Sequence, residues 1–327
     1  MISIRKTTSS GALVSETPRQ RSRDGVLVGR SSTNPSQPSC PSSSSLMPAT
    51  RAQAITGRPY ISWSQVASYQ LCPKAYEFKY VLRAEPAFVP SSLVFGVAFH
   101  DAVARTSAAD LAGAPRPSAE ELALGVAHEL RASSVPLRLG KGESLESLDA
   151  LGSRMLVAYL ASPESHVQGT SICIEDVARG NVDKSIPPVE ARVDHVYQRQ
   201  DGSLVVRDVK TTRSKWSADK VSESAPQLRL YAMLLDRELE GLGTVESLEF
   251  LTVTKAAKPV VQLHQLPARN AGNDGRDGGD GHDGLIDTLQ QVWAGIEAGV
   301  FPARPGWPCK SCPFNDRCPA AIGGGAA

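Results

Sequence analysis

The sequence predicts an α/β domain in which a central mixed β-sheet is flanked by helices. Helical hydrophobic periodicity dominates between about residues 62 and 161, whereas short apolar and alternating segments dominate between about residues 171 and 266. One helical segment interrupts this strand cluster, and such an order is typical of a sheet with helices packed on its faces. Hydrophobic residues make up 41% of the 327 residues, so a sizeable core can form.

The order of the elements follows from these periodicities and from local capping signals. Ser62 and Gln65 have the spacing of a capping box at the start of the first helix, and Pro73 fits the first turn of the second. We expect helices at about 62–71, 74–83, 92–111, 118–132, 145–161, 224–240 and 285–298, and strands at about 171–178, 188–199, 203–210, 245–254 and 259–266.

Composition separates one domain from segments of low hydrophobicity. Residues 1–57 are rich in Ser, Arg and Pro and poor in aromatic residues, so they cannot bury enough apolar surface to offset the entropy of ordering. A transit peptide is the alternative interpretation of this segment. We expect a disordered tail over 1–57, a domain over 58–320 with a Gly- and Asp-rich surface insert at about 270–284, and a disordered tail over 321–327.

Charge and hydropathy exclude several classes of protein. The net charge is +1, so any surface that binds nucleic acid must be local. No apolar run reaches about 18 residues and the N-terminus lacks a signal-peptide stretch, so we expect no membrane span and a cytoplasmic location. The chain also lacks a G-x-x-x-x-G-K-[ST] phosphate loop, so a motor for unwinding DNA would have to be another polypeptide.

Two acidic residues and a lysine form a candidate catalytic set. Asp208 and Lys210 lie two residues apart in an alternating strand, so their side chains point to the same face. Asp194 lies on the preceding strand. A two-residue turn would pair position 194 with 209, whereas a three-residue loop with Gly202 in the left-handed conformation pairs it with 208. We predict the three-residue loop, which places both carboxylates on one face.

Two converging carboxylates suit Mg²⁺ or Mn²⁺, which are hard cations that prefer oxygen ligands. Such an ion activates water and stabilises charge on a phosphate under attack. Lys210 could polarise the water or stabilise the oxyanion. The alternative interpretation is a salt bridge at the end of a solvated hairpin.

Five ordered motifs resemble the RecB-like branch of the PD-(D/E)XK nuclease superfamily over most of residues 60–320. They are Ser64-Gln65-Val66-x-x-Tyr69-x-x-Cys72-Pro73, Gly96-Val97-Ala98-Phe99-His100, Val193-Asp194, Asp208-Val209-Lys210-Thr211 and Gln227-Leu228-Arg229-Leu230-Tyr231. The resemblance implies a restriction-endonuclease-like core. The family often has Gly and Arg where this chain has Ala191 and His195, a departure that removes no metal ligand but bears on DNA contacts near His195.

The resemblance also implies a role for each matching residue. The metal ligands would be His100, Asp194, Asp208 and the carbonyl of Val209, and an imidazole ligand tilts the preference toward Mn²⁺. Lys210 would be catalytic. Gln227 and Tyr231 share one helical face, where the tyrosine could stack on a base and the glutamine could bond near Lys210. Basic residues that could follow the phosphates are Arg207, Arg213, Lys215, Lys220 and Arg229, although they could equally form a solvated face.

Four cysteines indicate a second metal site. Cys72 lies near the start of the domain, and Cys309, Cys312 and Cys318 lie at its end. Four thiolates suit either Zn²⁺ or a [4Fe–4S] cluster, and either would join the N- and C-terminal helical parts. The same pattern occurs in RecB-like nucleases such as the AddB nuclease domain and CRISPR-associated exonucleases, which favours [4Fe–4S]. Cys40 and Cys173 lack ligand spacing.

The expected function is therefore that of a metal-dependent DNA nuclease with an iron–sulfur centre. Exonucleases predominate in this branch, so single-stranded DNA or DNA ends are the expected substrates. The setting would be repair and recombination, with a possible helicase partner, or spacer processing with a CRISPR adaptation partner. The alternative is a catalytically inactive iron–sulfur subunit that binds DNA within a helicase–nuclease complex. A zinc-containing module with a protein partner is a third reading.

Overall fold

A mixed β-sheet forms the centre of the computed structural model, which describes residues 47–239, 241–269 and 282–322. The helices of these residues are α1 (Pro48–Thr56), α2 (Trp63–Leu71), α3 (Pro73–Tyr76), α4 (Ser91–Leu111), α5 (Ala119–Ala132), α6 (Leu145–Ala161), α7 (Ala218–Glu238), α8 (His282–Glu297) and α9 (Pro319–Ile322). The strands are β1 (Ile61–Ser62), β2 (Val89–Pro90), β3 (Leu137–Arg138), β4 (Thr170–Gly180), β5 (Val189–Gln198), β6 (Leu204–Thr212), β7 (Val245–Thr254) and β8 (Val261–Pro267). The predicted α/β class, a central mixed sheet flanked by helices, is confirmed.

The folded part of the chain begins earlier than the sequence predicts. α1 forms inside the segment 1–57, where Ala52 and Thr56 are buried and Arg51 forms an ion pair with Glu297 (Nε to Oε1, 3.1 Å). The prediction of disorder is wrong for this stretch, because a composition averaged over the segment hides one short helix. α8 likewise begins inside the predicted insert, and α9 extends to Ile322. The remaining positions of both tails and of the insert lie outside the described residues.

Two local predictions at helix starts also differ from the structure. The capping box of α2 does not form, because Gln65 is buried and its Oε1 atom accepts a hydrogen bond from the hydroxyl of Tyr76 (3.1 Å). α7 begins at Ala218 rather than near residue 224. Its first turn is stabilised by the hydroxyl of Ser217, which accepts a hydrogen bond from the N–H of Lys220 (3.3 Å).

The main sheet has the order β1-β5-β6-β7-β8, and β4 pairs along the other edge of β5. β6 and β7 are parallel and are connected through α7, whereas β4, β5 and β6 form antiparallel pairs. Parallel strands have their carboxyl ends at the same edge of a sheet. The ends of β6 and β7, with the residues that follow them, therefore lie side by side.

The sheet separates two apolar cores. Alternate residues of β6 and β7 point to opposite faces, so Val206 and Phe250 pack with α7 and α8, whereas Val209 and Leu251 pack with α4, α5 and α6. By the same alternation, Asp208 lies on the α7 face. None of the helices in the described part of the chain is long and apolar enough to cross a bilayer.

Candidate active site and cysteine site

The hairpin between β5 and β6 determines which side chains lie opposite each other. Its loop has three residues, and the last of them, Gly202, has a φ of +85°, which glycine adopts without steric cost. His195 pairs with Arg207, so the register places Asp194 opposite Asp208. The predicted loop and register are confirmed as far as His195 and Arg207, where the ladder ends.

β5 and β6 separate immediately beyond this point. Their ladder ends at His195 and Arg207, and the same edge of β5 pairs next with β1, at residues 189–190. In the resulting gap, Oδ2 of Asp194 accepts a hydrogen bond from the N–H of Val209 (2.7 Å). The carboxylate thus satisfies a buried backbone donor where the ladder has ended. The gap opens the sheet at the position of the two acidic residues.

α4 brings an imidazole to this gap. His100 Nδ1 lies 3.1 Å from Oδ2 of Asp194. The ring of Phe95 on the same helix is fully buried and packs α4 against the sheet. Burial alone would lower the pKa of His100, but the hydrogen bond and the charge of Asp194 raise it overall. The predicted pairing of this histidine with the second-motif aspartate is present.

Asp208 and Lys210 form an ion pair near the end of β6. Lys210 Nζ lies 2.8 Å from Oδ1 and 2.7 Å from Oδ2 of Asp208, which is 3% exposed. Burial raises the pKa of Asp208 to about 6, and the charge of Asp194 adds to this effect. Burial alone would lower the pKa of Lys210, but both carboxylates raise it, so its side chain is an ammonium. A solvated salt bridge on a hairpin does not describe this buried pair.

Gln227 and Tyr231 lie behind this ion pair on α7. The Nε2 atom of Gln227 donates a hydrogen bond to the hydroxyl of Tyr231 (2.9 Å), as expected for residues on one helical face. Tyr231 is 7% exposed, which leaves little ring surface to stack on a base. Burial raises the pKa of Tyr231, and the charge of Asp208 acts in the same direction. The pair therefore packs against the site instead of presenting an aromatic face to solvent.

The structure adds an acidic residue that no sequence pattern indicated. Glu175 lies on β4 opposite Asp194, between the paired positions 174 and 176. Its φ of +49° lies in the left-handed region, which costs a non-glycine residue about 1–2 kcal/mol. Burial and the charge of Asp194 raise the pKa of Glu175, whereas its ion pair with Arg192 (2.7 Å) lowers it. A strained backbone here turns a third donor toward the gap.

Three donors converge in the gap between the strands. One ligand atom each from His100, Glu175 and Asp194 lies within 4.8 Å of the other two. Two carboxylates and an imidazole are suitable ligands for Mn²⁺ or Mg²⁺. A cation there would also offset the repulsion between the carboxylates of Asp194 and Asp208. The residues present therefore fit a divalent cation.

Not every predicted ligand belongs to this group. The carboxylate of Asp208 is held by Lys210 and is outside the three donors that converge. Val209 contacts the group through its N–H, which donates to Asp194, whereas the predicted ligand is its carbonyl. His100 and Asp194 are the two predicted ligands that the structure brings together.

The basic residues near the site divide into two kinds. Arg207 is 3% exposed and its guanidinium lies 2.8 Å from Oε2 of the buried Glu249, so the idea that it follows DNA phosphates is wrong. Alternation had already placed it on the other face from Lys210, but not in a buried network. Arg213 and Lys215, which follow β6, are exposed. They remain available to an anionic partner.

Four cysteines line one cavity at the junction of the two ends of the domain. Their shared surroundings are apolar, and no acidic residue or histidine lines the cavity with them. The four are Cys72, between α2 and α3, and Cys309, Cys312 and Cys318, before α9. Burial raises the pKa of the Cys312 thiol, and the other three thiols act in the same direction. Such a donor set fits a thiophilic metal centre, which would convert the thiols to thiolates.

The two ends of the domain also contact each other directly. The N–H of Lys74 donates to the carbonyl of Pro302 (3.2 Å), and the N–H of Ala87 donates to the carbonyl of Pro313 (3.0 Å). The rings of Phe78 and Phe314 stack with centroids 5.5 Å apart. The predicted junction of the N- and C-terminal parts is therefore present. Cys173 lies on β4, and Cys40 lies outside the described residues.

The chain is similar to one known family and to several solved structures. The sequence matches the PD-(D/E)XK nuclease superfamily over residues 60–319. No curated protein matches it. Among solved structures, a candidate exonuclease from Eubacterium rectale aligns with a TM-score of 0.47 and 11% identity, over 88% of this chain and 94% of that chain. The protein SSO0001 aligns with a TM-score of 0.32 and 15% identity, over 72% of this chain and 88% of that chain.

The family match covers more than half of the chain, from β1 to the start of α9, and includes His100, Asp194, Asp208 and Lys210. The protein belongs to the PD-(D/E)XK nuclease superfamily and is a nuclease.

Proposed function

We propose that this chain is a divalent-metal-dependent deoxyribonuclease that hydrolyses phosphodiester bonds at DNA ends. One observation carries the proposal. The donors of His100, Glu175 and Asp194, on α4, β4 and β5, converge within 4.8 Å beside β6, which carries the Asp208–Lys210 ion pair. A cation site next to a fixed ammonium is what the attack of water on a phosphodiester requires.

A Mg²⁺ or Mn²⁺ ion supplies Lewis-acid chemistry that activates water and neutralises charge on the phosphate. His100, Asp194 and Glu175 would hold it, and the imidazole favours Mn²⁺. The family resemblance adds Asp208 and the carbonyl of Val209 as ligands. These donors would orient the phosphate relative to the nearby lysine.

Lys210 contributes a positive charge next to the cation site. Its Nζ atom keeps its protons and is fixed by Asp208, so it can donate hydrogen bonds to phosphate oxygens as negative charge develops on them. Gln227 and Tyr231 support this arrangement from α7, since their mutual hydrogen bond closes the site behind the ion pair. Hydrolysis leaves the phosphate on one product strand and a hydroxyl on the other.

We further propose that the cysteine site holds a [4Fe–4S] cluster. The four thiols line one largely apolar cavity, which suits a thiolate-bound centre. The cysteine pattern resembles that of the iron–sulfur RecB-like nucleases, and this resemblance supports the cluster over zinc.

The substrate and partners follow from the same resemblance. Exonuclease action on single-stranded DNA or on processed ends is the proposed activity, in repair and recombination or in CRISPR spacer processing. A helicase or a CRISPR adaptation protein would act with this chain, and its location would be the cytoplasm. These assignments rest on the proposed nuclease site.

The test is a cleavage assay with anaerobically purified protein. End-labelled linear and circular DNA, single- and double-stranded, would be incubated with Mn²⁺, Mg²⁺ or EDTA. We expect cleavage that requires the metal, and loss of linear but not of circular DNA. Lys210→Ala should lower the rate by about 10²–10³-fold, the usual effect of removing one group that stabilises an oxyanion.

Lys184→Ala is the matched control, because it removes an exposed lysine away from the strand gap. It should leave cleavage unchanged. Cleavage of circular DNA would show that the enzyme is an endonuclease and not an exonuclease. Absence of cleavage under all conditions would favour the alternative of a DNA-binding subunit without catalytic activity, and so would an equal rate in Lys210→Ala, because the cleavage would then come from a contaminating nuclease.

A further inference from the structure

Lys255 lies near the candidate active site but has no role in the proposed hydrolysis. It directly follows β7, and its N–H donates to the carbonyl of Thr212 at the end of β6 (2.6 Å). β6 and β7 run in parallel, with Lys210 paired with Thr252. Lys255 is therefore at the same edge of the sheet as the catalytic pair, on the face that α4 covers.

The ammonium of Lys255 is half-buried and has no carboxylate partner. Its Nζ atom lies 4.8 Å from the centre of the Phe95 ring. No ion pair of the described residues includes Lys255. Partial burial of a cation without a directly paired carboxylate is unfavourable, so an anion supplied by a ligand would be favoured here.

Two charged groups flank this ammonium. Glu143 is already engaged, because its Oε2 atom accepts hydrogen bonds from the hydroxyl of Ser91 (2.6 Å) and from the N–H of Gly140 (2.7 Å). Arg213, on the segment that follows β6, is exposed and also forms no ion pair among the described residues. Burial lowers the pKa of Lys255, and the charge of Arg213 acts in the same direction, against Glu143. Two neighbouring cations gain from a shared anion.

α4 relates this cation to the metal group. Phe95 contacts Lys255, and His100 contacts Asp194 one and a half turns later on the same helix. Five residues of helix rise about 7.5 Å and rotate by about 140° beyond one full turn, so the two contacts lie at different levels and on different sides of α4. The rise along the axis is on the scale of the spacing between successive phosphates in a nucleic acid strand. A strand that lies along α4 with one phosphate at the metal group would bring a neighbouring phosphate to Lys255.

We propose that Lys255, assisted by Arg213, binds the phosphate next to the scissile one and so positions the DNA strand over the metal group. The inference rests on the proposed function, because it assumes a DNA strand at the gap between β5 and β6. Lys255 acts on the substrate but not on the reacting atoms. Its loss should therefore raise KM and leave kcat nearly unchanged.

The test compares Lys255→Met, Lys255→Arg and Lys258→Met in binding to a fluorescein-labelled single-stranded oligonucleotide in EDTA, at several salt concentrations. We expect Lys255→Met to weaken binding by about tenfold. The slope of log K against log salt should fall by about 0.7, the value for one phosphate contact with a single strand. Lys255→Arg should restore most of both. Lys258 is exposed three residues later, so Lys258→Met is the matched loss of charge.

Methionine keeps an unbranched stem over Phe95 and removes a poorly solvated charge, so Lys255→Met should be at least as heat-stable as the wild type. An unchanged salt slope in Lys255→Met, or an equal drop in Lys258→Met, would overturn the inference. If the wild-type protein cuts DNA and Lys255→Met binds the oligonucleotide as tightly as the wild type, this inference alone is disproved. Wild-type protein that does not cut DNA at all disproves the proposed function instead.

Discussion

The carboxylate of Asp194 accepts a hydrogen bond from the N–H of Val209 at the point where the ladder between β5 and β6 ends. The same Oδ2 atom lies 3.1 Å from Nδ1 of His100. The side chain of Asp194 therefore has a structural role, because it satisfies a buried backbone donor, and a metal-binding role, because it contributes an oxygen to the candidate cation site. Substitutions can separate these two roles.

Asp194→Asn should keep the fold and lose the metal. The amide oxygen of asparagine can still accept from Val209, so the free energy of unfolding should stay within about 1 kcal/mol of the wild type. Asp194→Ala leaves the N–H of Val209 without its partner, which costs about 1–3 kcal/mol. Both changes should abolish Mn²⁺ binding in calorimetry, and chemical denaturation measures the difference between them. Equal stability of the two variants would mean that the Val209 contact contributes nothing.

We expect Glu175 to bind the cation, and the backbone conformation that positions its carboxylate to be strained. Glu175→Gln removes the charge and should weaken Mn²⁺ binding by about tenfold or more. Glu175→Gly should weaken it similarly, but glycine adopts the observed φ without strain, so this variant should be about 1 kcal/mol more stable than Glu175→Gln. Mn²⁺ titration followed by electron paramagnetic resonance, beside thermal unfolding, measures both effects. Full Mn²⁺ affinity in either variant would remove Glu175 from the ligand set.

The contrast between Asp194 and Glu175 shows what the sequence could predict. A glycine in a short loop sets the register of β5 against β6, so the position of Asp194 opposite Asp208 could be counted from Gly202. β4 is joined to β5 by a longer connection, and Glu175 within β4 has a φ of +49°. No local sequence signal indicates the register across that connection or this backbone conformation. The facing position of Glu175 therefore emerges only in the folded sheet.

The burial of Arg207 likewise depends on segments that are distant in the sequence. Alternation along β6 correctly separates Arg207 from Asp208 and Lys210. Which face is covered, and by what, depends on distant segments: the carbonyl of Glu164 accepts from the Arg207 guanidinium (2.9 Å), and Glu249 lies on the next strand. Lengths and types of long periodic helices were predictable, whereas the buried polar network was not.

That network should be a large contributor to stability. Glu249 is 1% exposed and accepts hydrogen bonds from Arg207 (2.8 Å), Tyr197 (2.8 Å) and Gln265 (3.0 Å). Glu249→Gln leaves the cation of Arg207 buried without a counter-charge, so we expect a loss of about 3–5 kcal/mol in denaturant unfolding.

The exposed ion pair between Arg131 and Asp149 provides the matched control for Glu249→Gln. Asp149→Asn removes the same charge from a partly solvated pair and should cost less than about 1 kcal/mol. Losses of similar size in the two variants would mean that the Arg207–Glu249 pair owes nothing to its burial.

The cysteine site should connect the two ends of the domain through its metal centre. We expect anaerobically purified protein to absorb visible light and to contain iron and sulfide. Cys312→Ser should lose both and should melt at least about 5 °C lower, since each kcal/mol of stability corresponds to about 2–4 °C for a domain of this size. Direct contacts such as that between Lys74 and Pro302 would remain, so the domain should weaken without unfolding completely.

Cys173→Ser is the matched variant, because this thiol lies on β4 and does not line the cavity. It should keep the iron, the sulfide and the visible absorbance, although loss of a partly buried sulfur can cost some stability. Colourless wild-type protein with one zinc per chain would replace the cluster by zinc and leave the connection between the ends intact. Protein without either metal, and with the melting temperature of Cys312→Ser, would show that backbone and aromatic contacts alone join the ends.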